Sequence, residues 1–393
     1  MTHYLVLGAG RQGTAVVHDL VEHGGATSIT WVDSREASLQ TSMRRVSQAT
    51  GFKALRGQAL DASDRRALMP LFTEAKVCVN ALPYRYSLAM TQLALEGGTH
   101  YLDLGGNTEI VQEQLELHRA HHRGAELCVL PDCGLMPGLG NLLVALAVDE
   151  LGPCSVVEVR CGGLPQDPKP PLDYMIVFSV AGLTNEYFGR AQVLRGGAVT
   201  EVPTFTELEE FEVEGLGPVE AFITSGGLST TPQTFAGRID ELDYKTIRYR
   251  GHHGKFKVLL ELGLLGEDPV RVGNADIVPR QLLHHQLEKH LTHPGAKDVT
   301  VLTMRAEAKP KKKGAQAPEG KRAIRARMLD VHDERTGYSS MERTTAFSAT
   351  ACAAMIARGD AVVGPGTLET AIDPHTFLRE LATRGIEVTI ERD

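Results

Sequence analysis

Three glycines in Gly8-Ala9-Gly10-Arg11-Gln12-Gly13, with Asp33 twenty residues beyond the last, have the types and spacing to hold a diphosphate and a ribose. Gly8 permits a tight turn out of a strand, Gly10 lets backbone approach a pyrophosphate, and Gly13 lets the next helix pack close to the sheet. The free amides and dipole of that helix's N-terminus complement the phosphates, so no lysine is required. Arg11 and Gln12 lie in the same turn. Asp33 can accept hydrogen bonds from adenosine ribose hydroxyls, and its charge opposes a 2′-phosphate, so NAD is expected in preference to NADP. Arg35 could swing to a 2′-phosphate or stack on adenine.

Those residues need a strand, a turn and a helix around them, and the neighbouring sequence supplies each. Tyr4 to Leu7 is an apolar run, Val16, Val17, Leu20 and Val21 share a helical face, and Ile29 to Val32 is a second apolar run closed by Asp33. A helix over Glu36 to Ala49, a strand near Phe52 to Leu55, Asp61 at the following turn and Ser63 capping a helix toward Phe72 make the next unit. Val77 to Asn80 is a buried strand, and Asn80-Ala81-Leu82-Pro83 turns out of it into Tyr84. Ligands of doubly wound sheets bind at the carboxyl ends of the strands, so Asn80 to Tyr84 are expected to line the cofactor crevice, and Asp61 is placed with them. Tyr101 to Asp103, a loop at Leu104 to Asn107, a polar helix over Glu109 to Arg123 and a strand at Leu127 to Leu130 follow. The expectation is a six-stranded parallel sheet of the Rossmann type, complete as a first domain at residues 1–130.

His118, His121 and His122 share a face of the polar helix at i, i+3 and i+4. No cysteine or carboxylate completes a zinc set, so a solvated helix and no metal are expected, as for His284, His285, His290 and His293.

Pro131 to Asn141 is rich in glycine and proline and leads into a helix to Leu151 that is apolar nearly all round, which places its loop at a domain junction. From there strand-like runs dominate: Val156 to Cys161, Tyr174 to Val180, Val219 to Thr224, Tyr244 to Arg250, Val299 to Ala306 and Ile324 to Val331. They predict an α+β substrate domain with a mostly antiparallel sheet over residues 131–342. Lys309, Lys311, Lys312, Lys313, Lys321 and Arg322 read as a solvated hairpin loop, since no aromatics interleave. Thr344 to Ala357 is a small-residue helix within a segment, 343–393, expected to return to the nucleotide domain.

A net charge of −8 gives no broad basic field, so small molecules are better partners than nucleic acid or anionic lipid. Cys78, Cys128, Cys133, Cys154, Cys161 and Cys352 show no CxxC pairing and mostly sit in apolar stretches, as reduced thiols of a cytoplasmic protein do. The first strand begins almost at once, so no cleaved leader is expected, and no apolar run has membrane-spanning length.

Four further motifs occur in order: Asp132-Cys133-Gly134-Leu135-Met136-Pro137-Gly138-Leu139-Gly140-Asn141, Cys161-Gly162-Gly163-Leu164-Pro165, Asn185-Glu186-Tyr187 and Lys245-Thr246-Ile247-Arg248-Tyr249-Arg250-Gly251-His252. Behind the dinucleotide fingerprint they resemble the saccharopine dehydrogenase family over nearly the whole chain, most closely its lysine 6-dehydrogenase branch. Arg250 departs from the proline the family often has before Gly-His. The resemblance implies NAD-dependent oxidation at a carbon bearing nitrogen. For L-lysine that is oxidative deamination at the 6-amino group to the semialdehyde plus ammonia. Saccharopine dehydrogenases or reductases are the alternative, and a non-catalytic dinucleotide-binding regulator is a third reading. A homodimer or larger assembly is also implied.

The implied reaction needs a group that accepts a proton, and His252, Asp132, Cys133, Tyr84 and Asp103 are the candidates at the junction. His252 titrates nearest neutrality. Each also has a structural reading: a turn-capping Asp, a packed thiol, a turn-stabilising His, a Tyr that only covers the cofactor. Arg248 or Lys245 would bind an amino-acid carboxylate, and strand alternation puts them on opposite faces, with Arg248 favoured. Glu186 would pair with an α-ammonium or cap a turn, and Tyr187 belongs to the same motif.

Overall fold

A run of consecutive apolar residues in a strand needs cover on both faces, and β1 (Thr2–Leu7), where Leu5 and Val6 have no exposure, receives it. The computed structural model describes residues 2–310 and 322–393. With β2 (Ala26–Asp33), β3 (Leu55–Ala59), β4 (Val77–Asn80), β5 (His100–Asp103) and β6 (Val129–Leu130), β1 forms a parallel sheet in the order β3-β2-β1-β4-β5-β6. The connecting helices are α1 (Arg11–Glu22), α2 (Glu36–Thr50), α3 (Arg65–Glu74), α4 (Ser87–Gly97) and α5 (Thr108–Ala120). Tyr4, Val6, Ile29 and Trp31 pack with residues of α1 and α2, while Leu5, Leu7 and Cys78 pack with residues of α3 and α4. The strand order reverses between β1 and β4, which opens a crevice at their carboxyl ends.

Two local expectations shift. The third strand starts at Leu55 rather than Phe52, because it pairs only with β2 and its Arg56 and Gln58 give it little apolar signal. The next helix is capped by Asp64, whose side chain accepts from the Ala67 amide, while Ser63 donates to Asp61.

Beyond β6, α6 (Leu139–Leu151) is buried along most of its length and leads into β7 (Cys154–Pro165). There follow α7 (Val180–Glu186), β8 (Arg190–Arg195), β9 (Ala198–Pro203), β10 (Glu209–Val213), β11 (Gly217–Ile223), α8 (Thr231–Phe235), β12 (Ile239–Tyr249) and α9 (His252–Glu261). A small hairpin, β13 (Val270–Val272) and β14 (Ala275–Ile277), precedes α10 (Pro279–Leu291), β15 (Asp298–Ala308) and β16 (Ala323–Val331). The chain ends with α11 (Ser340–Arg358), α12 (Leu368–Ala371), α13 (Pro374–Thr383) and β17 (Thr389–Arg392). The second sheet has the order β10-β11-β12-β7-β15-β16-β17 with β8 and β9 beside β12. Among the described residues, only β12 with β7 is a parallel pair in this sheet, and every other pair is antiparallel.

Tyr174 to Val180 is not a strand. Tyr174, Met175 and Val177 are buried in the main core as irregular chain leading into α7, so their apolar character reflects tertiary burial rather than ladder pairing. His118 is buried rather than solvated: its Nε2 lies 2.9 Å from the Gly124 carbonyl and 3.2 Å from that of Leu127. Among the described residues no group of three or more His, Cys, Asp or Glu side chains has metal-holding geometry, and no helix is long and apolar enough to cross a membrane. Lys311, Lys312, Lys313 and Lys321 of the basic run lie outside the described residues; Lys309 pairs with Asp240 at 2.7 Å.

Helix α11 lies against α1, its Ala346, Ala349 and Ala353 having no exposure, and β17 pairs with β16. Asp19 of α1 takes hydrogen bonds from Thr350 and, at 2.8 Å, from Arg384 Nε.

Candidate active site

The glycine turn is built as a close contact between β1, α1 and the end of β4. Gly8 has φ +98°, and a Cβ there would stand 2.9 Å from the Ala81 carbonyl oxygen. A Cβ on Gly13 would overlap the Gly8 carbonyl oxygen, while one on Gly10 would meet nothing within 4 Å. Gly10 caps α1 without a side-chain bond, so the first-turn amides face open space beside it. A Gly13→Ala substitution is therefore expected to destabilise the fold by about 1–3 kcal/mol and to abolish dinucleotide binding, read by thermal unfolding and by titration with NAD. Unchanged binding would mean that the turn is not the phosphate cradle.

Asp33 is nearly buried at the end of β2. Its Oδ2 accepts from the Ala9 amide and its Oδ1 from the Arg35 amide, both at 2.8 Å, and Arg35 Nε stands 3.6 Å from Oδ1. Asp33, Arg35, Asp61, Leu82, Pro83 and Tyr86 share the wall of a cavity of about 240 Å³, the size and position for an adenosine. The remaining turn residues do other work. Arg11 pairs with Glu342 at 2.7 Å, which turns its charge toward α11. Gln12 donates to the Met341 carbonyl and lines the larger cavity described next. Asn80 and Ala81 are corrected from wall to support: Asn80 is buried, donating to Tyr101 and accepting from the Leu82 amide, and Ala81 donates its amide to Leu7.

A cavity of about 970 Å³ runs from this crevice to the second sheet. Gln12, Leu82, Pro83, Tyr84 and Asp132 line it from one side, and Cys161, Glu186, Ser229, Tyr244, Thr246 and Arg248 from the other. Arg248 is 2% exposed. Its Nε donates to Tyr187 Oη at 2.6 Å and its Nη1 to the Ile247 carbonyl at 2.9 Å, while Nη2 is buried without a partner. The nearest carboxylate, Glu186, is 3.9 Å from Nη2. Loss of solvent holds the Glu186 carboxyl up at about 7, with Arg248 pulling the other way. Nη2 is thus a buried donor with no hydrogen-bond acceptor, balanced in charge by Glu186 in the same cavity wall.

His252 does not line the cavity, which corrects its assignment as proton acceptor. Tyr187 accepts from Arg248 and so donates its own hydrogen to His252 Nε2 at 3.1 Å, leaving His252 Nδ1 to donate to the Leu172 carbonyl at 3.1 Å. Burial, and then the charge of Arg248, push the imidazole down to about 3, so it stays neutral and both nitrogens are engaged. Tyr187 is likewise a buried support for Arg248 rather than a cavity residue. Lys245 points to the opposite face of β12 and pairs with Glu209 at 2.8 Å.

Cys133 is fully buried against the Leu130 carbonyl, and burial raises its thiol far above the usual range, so it is a packed residue. Asp103 is saturated: Oδ1 accepts from the Gly105 and Asp132 amides, Oδ2 from Tyr101 and Gln114. It shapes the loop and does not reach the cavity. Asp132, at φ +66°, does reach it, and Ser229 donates to its Oδ2. Burial, and then the charge of Asp103, raise Asp132 to about 8. Tyr84 is in the cavity wall beside Gly106.

Cys161, Tyr244 and Ser229 are wall residues not singled out from the sequence. The signal for Cys161 was present: paired glycines inside a strand, Gly162-Gly163, mark a close approach, and a Cβ at Gly162 would stand 2.5 Å from the Ile247 carbonyl oxygen. Burial pushes the Cys161 thiol up to about 12.

Two family models match the chain, the saccharopine dehydrogenase NADP binding domain over residues 4–128 and the saccharopine dehydrogenase C-terminal domain over residues 134–386. Two curated relatives are saccharopine dehydrogenases (NADP(+), L-glutamate-forming). The one from Pyricularia oryzae is 24% identical over 219 residues, 53% of this chain and 48% of that protein. The one from Saccharomyces cerevisiae is 24% identical over 251 residues, 62% of this chain and 55% of that protein. The chain thus spans about half the length of these relatives in sequence. Among solved structures, the apo saccharopine dehydrogenase (L-Glu forming) of Saccharomyces cerevisiae superposes with a TM-score of 0.77 at 16% identity, covering 100% of both chains. The homospermidine synthase of Legionella pneumophila, solved with NAD, superposes with a TM-score of 0.64 at 11% identity, covering 100% of this chain and 91% of that one. Both show a shared fold.

Proposed function

The chain belongs to the saccharopine dehydrogenase family, and on that premise we propose that it is an NAD-dependent oxidoreductase that deaminates L-lysine oxidatively at the 6-amino group. The observation that carries an amino-acid substrate is Arg248 in the cavity wall: its buried Nη2 has no hydrogen-bond acceptor and stands 3.9 Å from the Glu186 carboxylate, a cation and an acid side by side that suit an α-carboxylate and an α-ammonium. The glycine turn, the bare N-terminus of α1 and Asp33 fit a nicotinamide dinucleotide. When bound, the cofactor accepts the hydride that leaves the nitrogen-bearing carbon.

The protein's own residues do the rest. Arg248 and Glu186 fix one end of the substrate, so the far amine is presented toward the crevice. Asp132, with its proton affinity raised to about 8, takes the proton that the substrate ammonium must lose. Tyr84 and Pro83 line the crevice side of the cavity.

Cleavage or formation of saccharopine is the second reading. It is favoured by the names of the curated relatives and by Arg85, which also lines the cavity and offers a cation for a second dicarboxylate arm; Arg190, in the same wall, is paired with Glu201 at 3.2 Å. The same names carry NADP(+), whereas the Asp33 carboxylate at the ribose site favours NAD.

One assay separates these. Lysine with NAD should yield NADH, free ammonia and an aldehyde; NADP should serve roughly tenfold less well or worse, and Asp33→Ala should narrow that ratio. Turnover of saccharopine without ammonia release, with lysine inert, would establish the second reading instead. Equal use of both cofactors by the unaltered protein would remove the role given to Asp33.

A further inference from the structure

Asp132 and Ser229 sit on two loops that meet in the cavity wall, tied to each other by a side chain of α6, and the Ser229 loop is fastened from behind by one of α12. Asn141, in the first turn of α6, accepts from the Gly138 amide on the Asp132 side and donates to the Leu228 carbonyl, at 2.8 Å, on the Ser229 side. Glu369 of α12 takes the next two residues: Thr230 Oγ1 donates to its two oxygens at 2.9 and 3.0 Å, and Thr231 Oγ1 to its Oε1 at 2.6 Å. Ser229 itself is held at φ +45°, a conformation that costs energy for a residue with a side chain. In that conformation its hydroxyl donates to Asp132 Oδ2.

Glu369 has a chemistry its clamping role does not require. Two threonine hydroxyls would donate equally well to the carbonyl of a glutamine, and burying an ionised carboxylate whose hydrogen-bond partners are neutral hydroxyls is costly. Glu369 is 7% exposed, and its partners here are hydroxyls alone. The charges that act on Asp132 are those of Asp103, at the end of β5, and Glu369, both negative, while Ser229 is the hydrogen-bond donor on the opposite side.

We propose that Ser229 and Glu369 are positioning residues for Asp132: the Ser229 hydroxyl steadies its ionised form and aims it at the cavity, and the charge of Glu369, held behind the same loop, steadies its protonated form. The C-terminal segment would then set the pH at which the site gains and loses its proton. This rests on the reading of Asp132 as proton acceptor. The physical signs are opposite for the two partners. Removing a donor to the ionised form raises the pH at which Asp132 ionises, and removing a nearby negative charge lowers it.

The test uses the full chain and needs no turnover. The carboxylic-acid carbonyl band that is present in the unaltered protein and missing from Asp132→Asn titrates Asp132 directly by infrared difference spectroscopy. Ser229→Ala is expected to move its midpoint up and Glu369→Gln to move it down, each by roughly half a pH unit or more, and the acidic limb of the kcat profile should follow in the same direction. Where Ser229→Ala does not fold, Ser229→Gly removes the hydroxyl while relieving the positive φ. Midpoints that stay in place in both folded variants would overturn the inference, even if Asp132→Asn still abolishes turnover. Turnover that survives Asp132→Asn would overturn the reading of Asp132 and the inference with it.

Discussion

Replacing Arg248 by methionine is expected to lower kcat/KM for the amino-acid substrate by about two to three orders of magnitude, since losing one partner of a buried charged pair costs about 2–5 kcal/mol and each 1.36 kcal/mol is about tenfold. The loss should fall mainly on KM, because a carboxylate remote from the reacting carbon is bound alike in the ground and transition states. Arg248→Lys should rescue little. An ammonium cannot reproduce the planar fork that donates at once to Tyr187 Oη, to the Ile247 carbonyl and to a ligand. A substrate without the carboxylate gives the internal control: pentane-1,5-diamine should be used far less well than lysine by the unaltered protein and about equally by Arg248→Met. A preference for lysine that survives the substitution would mean that Arg248 does not hold the carboxylate.

Asp132→Asn should lower kcat by on the order of a hundredfold or more, the usual size of a general-base effect. In the unaltered protein Asp132 accepts a proton only when ionised, so amine oxidation should rise with pH through about 8 and level off above it. The variant should lose that limb. The same substitution has a second, opposite signature in stability. Asp132 ionises at about 8 when folded and near 3.9 when unfolded, so the folded chain is favoured by its held proton in acid and loses that advantage as pH rises from about 4 through about 8. Asparagine carries no such pH-dependent loss. At alkaline pH the inactive Asp132→Asn protein should therefore melt at a higher temperature than the active one, and the difference should shrink as the pH is lowered. An equal melting temperature at all pH values would place the Asp132 carboxylate in solvent.

The nucleotide half of the fold was legible because its signals are local. The turn at Gly8 to Gly13 and the acid at Asp33 depend on backbone reach and on spacing along one β-α-β unit, both of which are properties of the chain itself. Strand alternation was equally sufficient to separate Arg248 from Lys245, which the structure puts on opposite faces of β12. Burial is a different matter, since it depends on what arrives from elsewhere. His252 looked like the residue nearest neutrality, yet Arg248, Tyr187 and Leu172 enclose it and leave it neutral and occupied. Tyr174 to Val180 carried a strand-like pattern because that stretch is packed in the core without a ladder partner. Asp103 ends one strand of the first sheet and Asp132 follows another, and no spacing rule tells them apart. Four donors saturate Asp103, whereas Asp132 is stripped of solvent beside the charge of Asp103, with one hydroxyl from Ser229 and the more distant charge of Glu369. Proton affinity is set by solvent loss and by the charges within a few ångströms, and for Asp132 those come from parts of the chain that only the folded structure brings together.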